Sequence, residues 1–372
     1  MQFINQSSRS FKTSAFFVIR KLSRYGIFIL LVLLFVSCGV SKKVQDKNIQ
    51  LIYLDDLIIE NTADSIHFGG ISGIDYQNDT LFMISDSGNH PGIFASELQI
   101  DQQKLKLNAP KLFLDIKTPK GQYFDLESIQ KFSSSNAFLI SSEGNIKKGI
   151  EPRIFKLHEK GKIVNNYTLP DNYQITNKKS EVIHNRAIEA VTFNKYKTGF
   201  WFSTEFPLQS EGKPPQLFKS GSPQQFLFYD LKKDQITSRF KYQLDPIPKL
   251  PLLPYSLNGL TGMQLISSTQ MITIERGFSA GWGKHSNRVK LFLIQSDEAL
   301  NKADQQSIHK YLLLDLKKIK KQLNADRIDN IEGICLGPTL ADGSATILLI
   351  SDDNFDAYND QITQLIWLKI NP

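Results

Sequence analysis

Only two cysteines, Cys38 and Cys335, occur in 372 residues, which excludes a disulfide-stapled scaffold and a cysteine-rich zinc site. The six histidines show no metal-ligand spacing. Helical periodicity is almost missing; residues 315–323 carry the best stretch, and it is short. Acid is absent from residues 1–37, which hold Arg9, Lys12, Arg20, Lys21 and Arg24. These five residues carry most of the formal net charge of +7, and the remainder sets 39 basic residues against 37 acidic ones. A chain so nearly neutral offers no nucleic-acid footprint, and no nucleic-acid partner is expected. What the chain does have is apolar and aromatic residues, 41% and 11% of the total, with 25 phenylalanines. That excludes a disordered or collagen-like chain and leans toward strands. The length fits two average domains or one large β architecture.

After Arg24 comes the apolar run Gly26-Ile-Phe-Ile-Leu-Leu-Val-Leu-Leu-Phe-Val36. Its 11 residues are too few to cross a bilayer core, which takes about 20. Basic flank, short apolar core and small residues describe a bacterial secretory signal over residues 1–37. Phe35-Val-Ser-Cys38-Gly39 resembles a lipoprotein cleavage box, so Cys38 is the expected lipidation site. Residues 38–48 then read as lipidated cysteine and polar tether. Gly39 is not an acidic retention residue, which favours the outer membrane of the bacterial envelope, the lipid being the membrane partner. An uncleaved anchor is the alternative. Cys335, within Ile334-Cys-Leu336, reads as a small core residue.

From residue 49 onward one pattern recurs five times: Ile71-Ser-Gly-Ile74, Leu126-Glu-Ser-Ile129, Ile188-Glu-Ala-Val191, Leu257-Asn-Gly-Leu260 and Ile331-Glu-Gly-Ile334. Each copy is followed by an apolar strand ending in an acid: Phe82-Met-Ile-Ser-Asp86, Phe138-Leu-Ile-Ser-Ser-Glu143, Trp201-Phe-Ser-Thr-Glu205, Met271-Ile-Thr-Ile-Glu275 and Leu348-Leu-Ile-Ser-Asp352. Two more strand-like stretches follow most copies. The last copy lacks its fourth strand, and residues 49–54 can supply it by pairing with the C-terminal strand. The expectation is an all-β propeller of four-stranded blades over residues 49–372, closed by its two chain ends. Five blades are counted; a sixth fits only as a degenerate unit in the inserts at 172–187 or 206–223.

In such a blade the start of the first strand meets the end of the second. Ser72/Asp86, Glu127/Glu143, Glu189/Glu205, Asn258/Glu275 and Glu332/Asp352 are therefore expected at one mouth of the channel. Two unit charges ~6 Å apart at an effective dielectric of 20 repel by roughly 3 kcal/mol. Eight carboxylates there need protons, arginines or cations. Oxygen-only ligands favour a hard ion, calcium before magnesium. The candidate metal ligands are Asp86, Glu127, Glu143, Glu189, Glu205, Glu275, Glu332 and Asp352. Arg186, Arg276 and Arg327 lie beside them and suit an anionic, phosphorylated small molecule. Acids at strand ends also fix loops through backbone N–H groups, and Asp353, Asn354 and Asp356 invite the same reading.

From about Phe68 to the end the chain resembles the phytase-like family, "esterase-like activity of phytase". The resemblance is carried by Gly69-Gly-Ile-Ser-Gly-Ile74, Ile84-Ser-Asp-Ser-Gly88, Phe124-Asp-Leu-Glu-Ser128, Ser142-Glu-Gly144, Pro152-Arg-Ile-Phe155, Asn185-Arg-Ala-Ile-Glu-Ala190, Ile274-Glu-Arg-Gly277, Asp329-Asn-Ile-Glu-Gly333 and Ser351-Asp-Asp-Asn-Phe355. It implies a propeller related to calcium-dependent phytases, and phosphoester or ester hydrolysis. Ser128 and Ala190 depart from the glycine usual after the Glu. On that reading Glu127, Glu189, Glu332, Arg186 and Arg276 are the catalytic candidates. A non-catalytic ligand-binding or partner-binding propeller is the second reading. A serine esterase is the third: Gly277-Phe-Ser-Ala-Gly281 fits G-x-S-x-G, but the strand–turn–helix context is not expected there.

Overall fold

A computed structural model describes residues 49–371 apart from 61–67, 88–90, 118–123, 134, 176–179, 220–221 and 356–360. The expected signal peptide, Cys38, the tether through residue 48, and Asp356 lie outside the described residues. Lys47–Pro372 form one compact unit.

β1 (Gln50–Ile58) opens the unit but is not part of the blade that follows. Blade one comprises β2 (Ile71–Gln77), β3 (Thr80–Ser85), β4 (Gly92–Asp101), β5 (Lys104–Leu107) and β6 (Lys111–Asp115), the last pairing with β4. Blade two is β7 (Leu126–Lys131), β8 (Ala137–Ser142), β9 (Arg153–His158) and β10 (Ile163–Tyr167). Blade three is β11 (Ile188–Phe193), β12 (Gly199–Thr204), β13 (Ser222–Asp230) and β14 (Gln235–Leu244). Blade four is β15 (Ser256–Leu265), β16 (Gln270–Ser279), β17 (Asn287–Gln295) and β18 (His309–Asp315). Blade five is β19 (Asn330–Leu336), β20 (Thr346–Asp352) and β21 (Gln364–Asn371), and β1 completes it. β1 runs antiparallel to β21, from Gln50 opposite Asn371 to Ile58 opposite Gln364. The ring is closed by the pairing of the unit's own first and last strands, so among the described residues no blade is left without its fourth strand.

The all-β propeller is as the repeats predict, with five blades. The inserts at 172–187 and 206–223 form no sixth; they meet each other, Gln209 N–H donating to Glu181 O at 2.8 Å. Among the described residues the helical segments are short 3-10 turns, two of them within the periodic stretch at 315–323.

The five first strands neighbour one another in the order β2–β7–β11–β15–β19 and back to β2. Second strands such as β8 and β12 are buried throughout, which explains their unbroken apolar runs. The β2–β3 hairpin turns at Asn78 and Asp79, both at positive φ (49° and 57°), the geometry a two-residue hairpin demands. Blades are pinned edge to edge by a repeated device. Asp75 accepts from Lys131 N–H (2.7 Å), Gln130 from Phe193 N–H (2.6 Å) and Thr192 from Leu265 N–H (3.1 Å). Each acceptor lies on a first strand and each donor on the first strand of the next blade, so burying these polar groups costs little. Cys335 is fully buried in the apolar layer between blades.

Candidate functional site

Every first strand carries a β-bulge near its start. The register slips at Ile71/Gly73, Leu126/Ser128, Ile188/Ala190, Leu260/Gly262 and Ile331/Gly333. The extra residues are Ser72, Glu127, Glu189, Thr261 and Glu332. A bulge re-aims the side chain it carries, and here it recurs at one level of the ring. Facing each bulge is the end of the second strand. The backbone N–H groups of Asp86, Glu143 and Glu205 donate to the carbonyls of Gly70, Asp125 and Ala187, each two residues before a bulge. Asp352 pairs with Asn330 in the same way, and Arg276 with Gly259.

This alignment corrects the sequence reading in blade four. The bulge is Thr261 and not Asn258, and the second-strand position is Arg276 and not Glu275. Glu275 does not join the mouth. It accepts from Tyr242 OH (2.7 Å), Asp245 N–H (2.9 Å), Asn258 Nδ2 (2.7 Å) and the Lys310 ammonium, all structural partners. The ring of acids thus holds one arginine. Arg276 donates through Nη1 to Glu332 and Asn330, and through Nη2 to Glu205 at 3.2 Å. Glu205 also takes Arg186 Nη1 at 2.8 Å, and Arg186 Nη2 donates to Tyr255 OH at 2.8 Å. Gly259 makes room for that carboxylate: a Cβ there would lie 2.5 Å from Glu205 Cγ.

A pocket of about 400 Å³ opens at this mouth. Asp86, Glu127, Glu143, Glu189, Glu332, Asp352, Arg186 and Arg276 line it, while Glu205 lies beneath at 0% exposure. Asp125, Glu127 and Glu143 bring one ligand oxygen each to within 4.8 Å of the others. Arg186, Arg276 and Tyr255 line the same pocket, and Arg186 is near enough to oppose the upward shift of Glu143.

The chain matches the phytase-like family profile, "Esterase-like activity of phytase", over residues 66–355. It belongs to the phytase-like family. No protein of curated function matches it. Similar solved structures include an exo-1,5-α-L-arabinanase from a bovine ruminal metagenomic library (9% identity, 81% of this chain and 93% of that one, TM-score 0.43). A GH62 α-L-arabinofuranosidase catalytic domain from Coprinopsis cinerea shows 8% identity over 87% of this chain and 97% of that one, TM-score 0.45. An exo-β-1,3-galactanase from Clostridium thermocellum shows 11% identity over 87% and 63%, TM-score 0.47.

Within this phytase-like mouth, burial dominates the electrostatics. Burial, then the charges of Glu332, Asp125 and Asp353, pushes Asp86 up to about 8. Burial pushes Glu143 up to about 8 despite the Ala187 N–H that it accepts, and Asp125 up to about 6. Glu127, Glu189 and Asp352 are held well above the ordinary carboxylate range by burial, reinforced by Glu189, Glu205 and Glu332 respectively. Glu332 is raised by burial although Arg276 opposes it. Burial alone would depress Arg276; Glu332, Glu205 and Glu189 reverse that and hold it protonated. A cation fits the carboxylate cluster: the donors are all oxygens and lie close together, and Asp86 Oδ1 is buried without a protein partner.

Asp125, Tyr255 and Asn330 escaped the sequence reading. Asp125 and Asn330 stand two residues before their bulges, so aligning the repeats on the bulge finds them. Tyr255 comes from the loop before β15 and carries no repeat signal. Asp353 fixes the loop, accepting from Gly70 N–H (2.8 Å) and Phe355 N–H (3.1 Å). Asp352 Oδ1 takes Asn354 N–H at 2.8 Å. Arg327 pairs with Asp329 at 2.9 Å. Ser128 replaces the usual glycine and donates to Glu189 O of the next blade at 2.7 Å. Ser279 sits at the end of β16, 1% exposed, donating to Lys249 O at 2.6 Å; His285 Nδ1 faces Lys320 Nζ at 3.3 Å. β16 leads through a 3-10 turn at Gly283–His285 into β17, not into a helix, so Ser279 is not on a nucleophile elbow and the serine-esterase expectation fails.

Proposed function

We propose that this mouth is a calcium-dependent phosphoester hydrolase site acting on an anionic, phosphorylated small molecule. The observation that carries the reading is a three-carboxylate cluster, Glu127 and Glu143 buried and Asp125 half-buried, sharing one pocket with two arginines. Asp125, Glu127 and Glu143 would hold the ion, with Asp86 and Asp352 beside them. Calcium bound there would supply Lewis-acid charge and a water of lowered pKa. Arg186 spends one N–H on the Tyr255 oxygen, which leaves the tyrosyl proton to donate to a phosphoryl oxygen. Arg276, anchored by Glu205 and Glu332, is pre-placed positive charge for the transition state. Glu189, kept protonated by burial, can give its proton to the leaving alkoxide.

A second reading, a non-catalytic ligand-binding propeller, is favoured by one observation: both Nη atoms of Arg276 are already engaged. The test separates the two. Metal analysis of purified protein should find calcium. Phosphate release from an aryl phosphomonoester should vanish with a chelator and return with calcium. Glu127→Gln should lower kcat by about 100-fold or more, the scale of losing a group that positions transition-state charge. Calcium binding without phosphate release leaves the second reading; protein with neither property sinks the first.

We also propose that the chain is a lipoprotein of the bacterial envelope, anchored through Cys38 in the outer membrane. The basic segment, apolar run and Val36-Ser-Cys38-Gly39 support this. Cys38→Ser should move the protein from the detergent-soluble membrane fraction to the aqueous one. An unchanged partition would overturn the assignment.

A further inference from the structure

Beside the mouth, two loops build an apolar platform. The first, residues 246–255, runs Pro-Ile-Pro-Lys-Leu-Pro-Leu-Leu-Pro-Tyr; the second is the turn joining β16 to β17. Leu250, Leu252 and Leu253 are 56%, 60% and 59% exposed, with Tyr255 at 50% and Trp282 at 38%. These side chains are displayed by a rigid frame. Four prolines restrict the first loop. Leu252 and Leu253 N–H both donate to Ala280 O (2.8 and 3.2 Å), and Ala280 N–H donates to Tyr255 O (2.9 Å). Trp282 Nε1 donates to Leu250 O at 2.9 Å, so the indole's polar atom is satisfied internally. Gly281, at φ +94°, admits the leucine loop closely; a Cβ there would come 2.6 Å from Leu252 Cβ.

The surroundings are cationic. Residues 246–256 and 276–288 contain no acid and hold Lys249 and Lys284, besides Arg276 and Arg288, which pair with carboxylates elsewhere. Lys249 Nζ lies 3.7 Å from the centre of the Trp282 ring. Lys317 is near enough to lower the Lys249 pKa after burial has done so, and Lys320 meets His285. Lys249, Lys284, Lys317 and Lys320 have no carboxylate partner among the described residues. Exposed leucines with tryptophan and tyrosine, accompanied by lysines that have no carboxylate partner, match an anionic bilayer surface: apolar tips for the acyl boundary, cations for the headgroups.

We propose that this platform docks the propeller onto an anionic lipid bilayer, with the carboxylate mouth opening toward that surface. Tyr255 links the two features, since it lines the mouth and meets Arg186. The proposal goes beyond the hydrolase reading and does not depend on it.

The Lys47–Pro372 unit, which excludes the N-terminal apolar run, would be floated with vesicles of phosphatidylcholine alone and with phosphatidylglycerol added. Expected is binding to the anionic vesicles, weakened at least tenfold by Leu252→Glu with Leu253→Glu and weakened by raised salt. Both leucines are exposed, so the variant should keep its thermal midpoint. Trp282 gives an independent readout: Trp201 and Trp367 are 1% and 0% exposed, so a blue shift of emission on anionic vesicles reports the platform. No binding to either vesicle overturns the proposal, as does a variant that binds like wild type. A concentration-dependent dimer that the variant abolishes overturns it in favour of a second copy of this chain.

Discussion

Glu205→Gln should lower the stability of the unit by about 3–5 kcal/mol, the usual cost of removing one partner from a buried ion pair. The glutamine keeps the packed shape and removes only the charge. Arg276 retains Glu332, but Arg186 loses the one carboxylate with which it pairs among the described residues. One effect opposes the loss, relief of repulsion among neighbouring carboxylates. It is the smaller effect near neutral pH, because burial lifts Glu143 to about 8 and raises Glu189, so fewer bare charges face Glu205. For a domain of this size the loss corresponds to a thermal midpoint lower by roughly 4–8 °C. Urea unfolding should show the midpoint falling with an unchanged slope. A change under ~1 kcal/mol would mean that Glu205 does not hold the arginines. Arg186→Met added to Glu205→Gln should recover part of the loss, because the orphaned guanidinium is then gone.

The blade architecture was legible because each blade repeats the same physical demand. A first strand needs a small residue for close approach and a polar one at the bulge, and a second strand buried on both faces must be apolar throughout. Four of the five ring levels follow from that pattern. Blade four is ambiguous in sequence because Leu257-Asn-Gly-Leu260 and Leu260-Thr-Gly-Met263 overlap and both fit the pattern. The acid before the bulge level, Glu275, sits one residue from Arg276, and in a strand one residue reverses the face. That slip put an eighth carboxylate in the mouth and hid that the fifth position is cationic. Asp125 stands outside the apolar–polar–small–apolar motif, though the bulge geometry sets it beside Glu127. The platform at residues 246–255 carries no repeat signal; its leucines look like core residues until Ala280 and Trp282 are seen holding them outward.

Metal-free protein should be more stable at pH 5 than at pH 8, the reverse of what ordinary ion-paired carboxylates give. The sign follows from the direction of the shifts. Asp86 and Glu143, near 8 in the folded chain, return to ordinary carboxylate values of about 4 on unfolding. Between those limits the folded state binds more protons, so stability falls as pH rises. The contribution is fully present below about pH 4 and is lost through about pH 8. Asp125, raised to about 6, adds to the lower half of that window. The groups repel one another and titrate together, so the loss is several kcal/mol for the cluster and not a sum over its members. Calcium competes with those protons for the same oxygens. It should raise the thermal midpoint strongly at pH 8 and weakly at pH 5. Scanning calorimetry at both pH values, with chelator and with millimolar calcium, checks this. A midpoint that rises from pH 5 to pH 8 in chelator would show the mouth to be ionised and paired in some other way. Equal calcium effects at the two pH values would show that the ion does not displace protons from this cluster.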